Sequence, residues 1–330
     1  MSNDSLESWS TLNASWEDIG AENGTDLSPK DGFDYELSPY LIANILISVS
    51  ILLFSIFGVM GNGTVTWFLV FCMRRNPFTI FILHLAVADL GALMSLSSFL
   101  IMKVLSSFSD TITNLHLLSV FECSFFFMYN TGQYLLTAIS MDRCVSVVFP
   151  LWHRCHQPPH FSTLVCASIW IISFLLTVNG MVLLIFTVTR YPFFYLLLVN
   201  AMLCLPLMTV STLVLFIKVY FRSKQRKKGK ALTAILLALL FFLFLAFPLT
   251  CVLLICFFTP LINNNVESVT ISVALLCSCL NCSINPLIYF LIGRNKRARS
   301  RESMKVILRR LFKEEENCRE KREVPVQTRM

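Results

Sequence analysis

Seven long apolar runs constrain this chain more than any other feature. They lie at roughly 40–72, 78–105, 115–148, 161–187, 193–221, 231–258 and 267–292. Each meets the roughly 20 residues that a helix needs to cross about 30 Å of hydrocarbon. Only 14% of the 330 residues are charged, against about 25% in soluble domains. The expected fold is therefore an all-α membrane protein, a seven-transmembrane helix bundle at 40–293. A tail at 1–39 precedes it, and an amphipathic surface helix at 294–313 and a short tail at 314–330 follow. Several runs exceed 25 residues, which predicts tilted helices or helices extending past the bilayer. Pro206, Pro248 and Pro286 fall inside runs five, six and seven. Each removes a backbone donor and predicts a kink.

The net charge of +7 might point to nucleic acid, but its placement argues for topology instead. Thirteen of the 27 Lys and Arg follow Gly293, and six more lie between Arg222 and Lys230. Alternate links carry Arg74, Arg75 and Arg154, while the links between them are nearly free of cations. On this count 24 of 27 cations share one side, which the positive-inside rule makes cytoplasmic. The N-terminal tail is then extracellular. It holds nine acids and one Lys before Tyr40, few aliphatics, and no leader-like apolar core, so the first span would act as the export signal. Asn3-Asp4-Ser5, Asn13-Ala14-Ser15 and Asn23-Gly24-Thr25 are glycosylation acceptor sequences on that side. Beyond Gly293, Met304, Ile307, Leu308 and Leu311 recur at helical spacing among cations. This fits a helix lying on anionic inner-leaflet lipid better than a solvated tail. Cys318 beyond it is a palmitoylation candidate or an idle thiol. No pair of cysteines stands in the outer loops, and none of the twelve forms a persuasive zinc pattern.

Polar residues inside spans narrow the function. A charged side chain at mid-membrane costs roughly 2.5–3.5 kcal/mol on insertion scales. Asp89 stands in the middle of run two, with Asn62, Asn281 and Asn285 at comparable depth in other runs. One acid with several amides can hold a sodium ion or a water network, the acid can be protonated, or the set is purely structural. Glu122, about two turns into run three, is either a snorkelling rim acid or an anionic contact for a cationic ligand. Asp142 and Arg143 close run three at its inner end. No internal repeat supports a transporter, and run seven lacks the Lys a retinal pigment would need. Asp89 has no second acid at its depth for hydrolysis, and His84 reads as packed or interfacial rather than catalytic. The chain is not expected to be an enzyme.

These residues form a pattern that resembles the rhodopsin-like G-protein-coupled receptors. The matching features are Gly61-Asn62, Leu85-Ala86-x-Ala88-Asp89, Asp142-Arg143-Cys144, Trp170, Pro206, Phe244 with Pro248, and Asn285-Pro286-Leu287-Ile288-Tyr289, in order along the spans. Three stretches are similar to the Mas-related receptors, in the branch near the Mas proto-oncogene receptor. They are Met73-Arg74-Arg75-Asn76-Pro77-Phe78, Tyr129-Asn130-Thr131-Gly132 and the run from Asp142 to Cys155. The resemblance implies a receptor that senses an extracellular peptide or small molecule and activates a heterotrimeric G protein in the cytoplasm. It implies that Arg143 overlies the G-protein cavity, held by Asp142 at rest. Asn285, Pro286 and Tyr289 would form a hinge, and Asp89, Asn281 and Asn285 a sodium or water pocket. Pro206 and Phe244 would form a packing switch beneath the ligand.

The departures from the family pattern also carry expectations. The usual disulfide between span three and the second outer loop has no partner Cys. Ala246 replaces the usual Trp of span six. Lys228 and Lys230 stand where span six would carry an acid to lock Arg143, which implies ligand-free signalling. Phe125 holds the place of the amine-binding Asp. Asn179 stands near one of the acids that some Mas-related receptors use for basic peptides, and no acid follows it before Glu267. An outer link of about five residues implies a shallow, open pocket lined by Phe125, Phe126, Tyr129 and Tyr191, with Glu122 and Asn179 nearby. No prosthetic group is expected.

Overall fold

The computed structural model describes residues 38–73, 76–106, 112–150, 158, 160–186, 194–222, 230–259 and 264–293. The expected surface helix, both tails, Asn3, Asn13, Asn23, Tyr191 and Cys318 lie outside the described residues. Seven helical stretches match the seven apolar runs, with ends within three residues of those expected. They are α1 (Pro39–Phe71), α2 (Pro77–Ser106), α3 (Ile112–Val148), α4 (Phe161–Phe186), an interrupted α5, α6 (Lys230–Phe258) and α7 (Asn264–Gly293). Helix α5 consists of Phe194–Val199, a π-helical stretch Asn200–Cys204 and Leu205–Arg222. Helices α1, α2, α4, α7 and the 200–218 part of α5 are each long and apolar enough to cross a membrane. Helix α6 carries no charged residue between Ala231 and Phe258. Helix α3 is the polar one. It packs against α2, α4, α5 and α6, so its polar residues meet protein rather than lipid. Leu46, Phe57, Phe71, Leu164, Ile171 and Leu175 point outward from α1 and α4. An apolar surface of that extent on a folded chain is a lipid contact.

Local chemistry explains the helix ends and breaks. Asn76 caps α2: its Oδ1 accepts from the Thr79 amide at 2.8 Å, and Thr79 Oγ1 accepts from the Asn76 amide at 2.9 Å. Pro77 follows at the first helical position, where its missing N–H costs nothing. In α5, Pro206 cannot donate to the Met202 carbonyl. The turn ahead of it widens, and the Leu205 amide reaches back to Asn200 O. This is the i to i+5 pattern of a π turn. Helix α6 runs through Pro248 and α7 through Pro286 without a break.

The core is two apolar layers with a polar waist between them. One layer gathers Val65, Phe68, Phe81, Leu85, Leu135, Ile139, Met208, Leu215, Ile288 and Tyr289. The other gathers Ile51, Leu93, Leu96, Phe125, Phe126, Tyr129, Leu196, Leu249 and Leu253. Between the two stretches of each helix come Asn62 in α1, Asp89 in α2, Asn130 and Gln133 in α3, Asn200 in α5, and Asn281 and Asn285 in α7, all buried.

Helices α1 and α7 approach closely over small residues. A Cβ added at Gly61 would stand 2.9 Å from Pro286 Cβ, inside a rigid ring. A Cβ at Gly63 would meet nothing within 4 Å. Gly61→Ala is therefore expected to lower the thermal midpoint of the purified protein in detergent, by overpacking worth ~1–3 kcal/mol. Gly63→Ala should hold or raise it, since Ala favours helix by about 1 kcal/mol. Equal midpoints for the two variants would refute this account of the interface.

Candidate functional site

The polar waist leads from a proline. Pro286 has no N–H, so the Cys282 carbonyl one turn earlier lacks its helical donor. Asn62 supplies it: Nδ2 donates to Cys282 O at 2.9 Å, and also to Gly58 O at 3.0 Å. Gly61 admits α1 close enough for this contact. The residue before the proline, Asn285, turns into the bundle, where its Nδ2 donates to Asp89 Oδ2 at 2.8 Å. Asp89 is 3% exposed. The structure thus joins Asn285 to Asp89 and Asn62 to the α7 backbone, and buries Asn281 on α7 as well.

The groups around Asp89 decide what it can hold. Sodium takes hard oxygen donors in number. Asn285 presents its N–H to the carboxylate, the Cys282 thiol stands alongside, and α3 approaches with Gly132, whose Cβ position is 3.4 Å from Asp89 Oδ1. Asp89 is the one anionic donor here, with a soft thiol, a residue with no side chain and the amides of Asn285 and Asn281 in the same zone. This set suits a hydrogen-bonded network. Among the described residues no three His, Cys, Asp or Glu side chains form a metal-binding group.

At the inner end of α3, Asp142 Oδ2 accepts from Arg143 Nη2 at 2.6 Å and from Nε at 3.1 Å. Both side chains are more than nine-tenths buried. The guanidinium also lies over the Phe78 ring of α2, with Cζ 4.7 Å from its centroid. Sequence reasoning assigned the Asp142 contact and missed the ring, because nothing in an apolar helix start marks Phe78 as an aromatic partner. His84 packs between helices: Trp170 Nε1 donates to its Nδ1 at 3.1 Å, tying α2 to α4.

The outer residues need correction. Phe125, Phe126 and Tyr129 do come together, with Phe125 stacked on Tyr129 at 5.4 Å and edge-on to Phe126 at 5.5 Å. They are 3%, 9% and 4% exposed, inside the layer that holds Leu196, Leu249 and Leu253. They form a packed floor rather than the lining of an open pocket. Glu122, one turn outward, is half-buried and interacts electrostatically with Lys103 of α2. Asn179 does not join them. It is exposed on α4, beside a cleft of about 420 Å³ that Leu176, Leu183, Leu198 and Val199 also line.

The expected switch pair is also displaced. Phe244 is 77% exposed, and Pro206 is exposed on α5. Among the described side chains of α6, Leu236, Leu249, Thr250, Leu253 and Cys256 are buried. Phe244 precedes Leu253 by nine residues, two and a half turns, which puts it on the opposite face. Pro248 is half-buried, and Pro286 and Tyr289 are buried.

A contact absent from the sequence reading ties α3 to the π turn. Asn200 Nδ2 donates to Asn130 Oδ1, and Asn130 Nδ2 donates to Phe126 O. Farther in, the Ser140 and Thr212 hydroxyls meet at 3.5 Å. All ten described cysteines are free thiols.

Comparison with known proteins follows these positions. Residues 61–289 match the family described as 7 transmembrane receptor (rhodopsin family), an interval that opens on Gly61 and closes on Tyr289. The chain is 36% identical to Proto-oncogene Mas of Rattus norvegicus over 268 residues, covering 78% of this chain and 81% of the relative. It is 37% identical over 278 residues to Mas-related G-protein coupled receptor member H of the same species, covering 81% and 83%. It is 35% identical over 271 residues to Mas-related G-protein coupled receptor member D of Homo sapiens, covering 78% and 82%. A buried Asp-Arg pair, an Asp-Asn waist and a proline relieved by Asn62 thus sit on seven apolar helices, and the chain belongs to the rhodopsin family of seven-transmembrane receptors, among its Mas-related members.

Proposed function

We propose that this multi-pass membrane receptor sits in the cell membrane with its N-terminus outside, senses an extracellular peptide or small molecule, and activates a heterotrimeric G protein through Arg143. The observation that carries the reading is the Arg143 guanidinium, buried yet held by its own neighbour Asp142. A pair made within one helix can be opened without unpacking the bundle. A ligand acts by population shift: it binds the conformer whose α6 has swung outward at its inner end more tightly than the resting one. The swing opens a cavity beside Arg143, rimmed by the basic residues from Arg222 to Lys230. Asn285, Pro286 and Tyr289 bend α7 as the waist rearranges. Ligand contact falls to Glu122 and to the Phe125, Phe126 and Tyr129 floor, which must part to admit a deep-seated group. The basic helix at 294–313 rests on inner-leaflet lipid.

Three outcomes test this reading. Arg143→Ala, at equal surface expression, should lose calcium and cAMP responses, both ligand-free and to any active compound from a peptide and small-molecule screen. Unchanged signalling in that variant would remove Arg143 from the mechanism. The waist proposal concerns water rather than sodium. Replacing sodium with choline at constant ionic strength should leave ligand-free signalling unchanged, whereas a sodium effect that disappears in Asp89→Asn would overturn it. For orientation, surface-labelled receptor should shorten on deglycosylation, and Asn3, Asn13 and Asn23 changed together to Gln should abolish the shift. Persistence of the shift in the triple variant would contradict the assigned sites.

A further inference from the structure

We infer that Phe78 is a positioning residue for Arg143: its ring holds the guanidinium in the resting pose and supplies the restraint that α6 lacks as a carboxylate. The inference rests on the reading of Arg143 as the coupling residue and adds a second element, α2, to its control.

The case begins with what a buried guanidinium needs. Arg143 is 7% exposed and carries a full charge with five N–H donors. Burying such a charge is costly unless it is paired. Asp142 meets it at one edge, through Nε and Nη2 onto a single oxygen. A planar cation has faces as well as edges, and Phe78 meets the cation with its π surface at 4.7 Å. This distance is within the roughly 6 Å over which the ring quadrupole attracts a cation, and the attraction strengthens where water is excluded. Phe78 is itself 3% exposed, so water competes little at the contact.

The ring is also held in place. Phe78 lies between Pro77 and Thr79, inside the reciprocal cap that Asn76 and Thr79 make at the start of α2. Its backbone is fixed by those two bonds and by the ring of Pro77, so it offers a preset surface. The opposite side of the inner mouth carries no acid. No Asp or Glu occurs anywhere between Asn179 and Glu267, so neither α5 nor α6 can offer Arg143 a carboxylate. A guanidinium resting on α2 is drawn away from α5 and α6, between which the cavity opens. A G protein that engages Arg143 must first lift it off the ring. A ring attracts a cation more weakly than a carboxylate does, so this restraint is partial.

The test uses full-length receptor in membranes with purified heterotrimers of each α-subunit class, reading receptor-catalysed nucleotide exchange without ligand. Phe78→Leu should raise exchange several-fold at equal surface expression, and Phe78→Tyr should stay near wild type. Because Phe78→Leu alters packing, the deciding series replaces Phe78 with mono-, di- and trifluorinated phenylalanine. These rings keep nearly the same shape while their attraction for cations falls step by step. Exchange should climb with each fluorine, and the same series at lipid-facing Phe57 should be flat. A flat series at Phe78, with exchange still lost in Arg143→Ala, would overturn the role of the ring and leave the coupling reading standing. No exchange on any heterotrimer from any variant, Phe78→Leu included, would overturn both.

Discussion

The bundle depends on one backbone carbonyl. Pro286 leaves Cys282 O without its helical donor, and a buried polar group without a partner costs about 1–3 kcal/mol, more so with lipid around the helix than water. Asn62 meets that cost from another helix, and the solution dictates much else. Helix α1 must come close, so Gly58 and Gly61 occupy the approach and any Cβ there would collide with Ser283, Leu93 or Pro286. Helix α7 must keep one rotation, so Asn285 points at Asp89. Asp89 can then be buried in α2 with a donor in place. Outward along the same seam, Ser272 donates to Asn44 Oδ1 at 2.8 Å and Ser283 to Phe54 O at 3.2 Å. A helix weakened by proline is held by its neighbour, which leaves the proline free to act as a hinge.

The same logic operates at α5 by different means. Pro206 also frees a carbonyl, and here the chain answers with a π turn rather than with an asparagine from a neighbour. The wider turn places Asn200 toward α3, where it bonds Asn130. Asn200 Oδ1 finds no protein partner in the buried interior. Such a group favours rearrangement, because a shift that satisfies it recovers part of its desolvation cost. The α3–α5 side of the waist thus keeps one unmet acceptor beside the Asn130–Asn200 bond. A rigid half and a compliant half is the division a receptor needs, with α5 and α6 free to move against a fixed frame.

How legible this was in the sequence depended on which force wrote each feature. The seven helices were readable to within a few residues because bilayer thickness sets their length and lipid tolerates few charges. Asp89, Asn62 and Asn285 were readable because each is expensive where it stands, and expense in a membrane implies partners. Their pairing was not readable: that Asn62 serves a carbonyl and Asn285 a carboxylate depends on helix rotation. Phe244 failed for a related reason. Helix α6 is apolar on every side from Ala231 to Phe258, so its sequence carries no moment to show which face turns inward, and a phenylalanine near the proline was placed half a turn from the core. Asn179 failed because a single amide on α4 looks alike whether it faces the bundle or the α4–α5 cleft. Phe78 was silent because an aromatic at an apolar helix start has an ordinary explanation, and only the position of Arg143 gives it another.

The outer and inner ends of the molecule follow opposite rules. At the outer end the floor of Phe125, Phe126 and Tyr129 is packed as tightly as the rest of the core, so a ligand reaching it must displace aromatic contacts. Such a ligand has to supply replacement surface, and its affinity will carry that rearrangement cost. At the inner end Arg143 meets its neighbour's carboxylate and the Phe78 ring. On the proposed reading, tight packing at the ligand end and a local contact at the coupling end let modest energies at the inner mouth shift the balance between states. The absence of any acid in α5 and α6 gives that balance its bias.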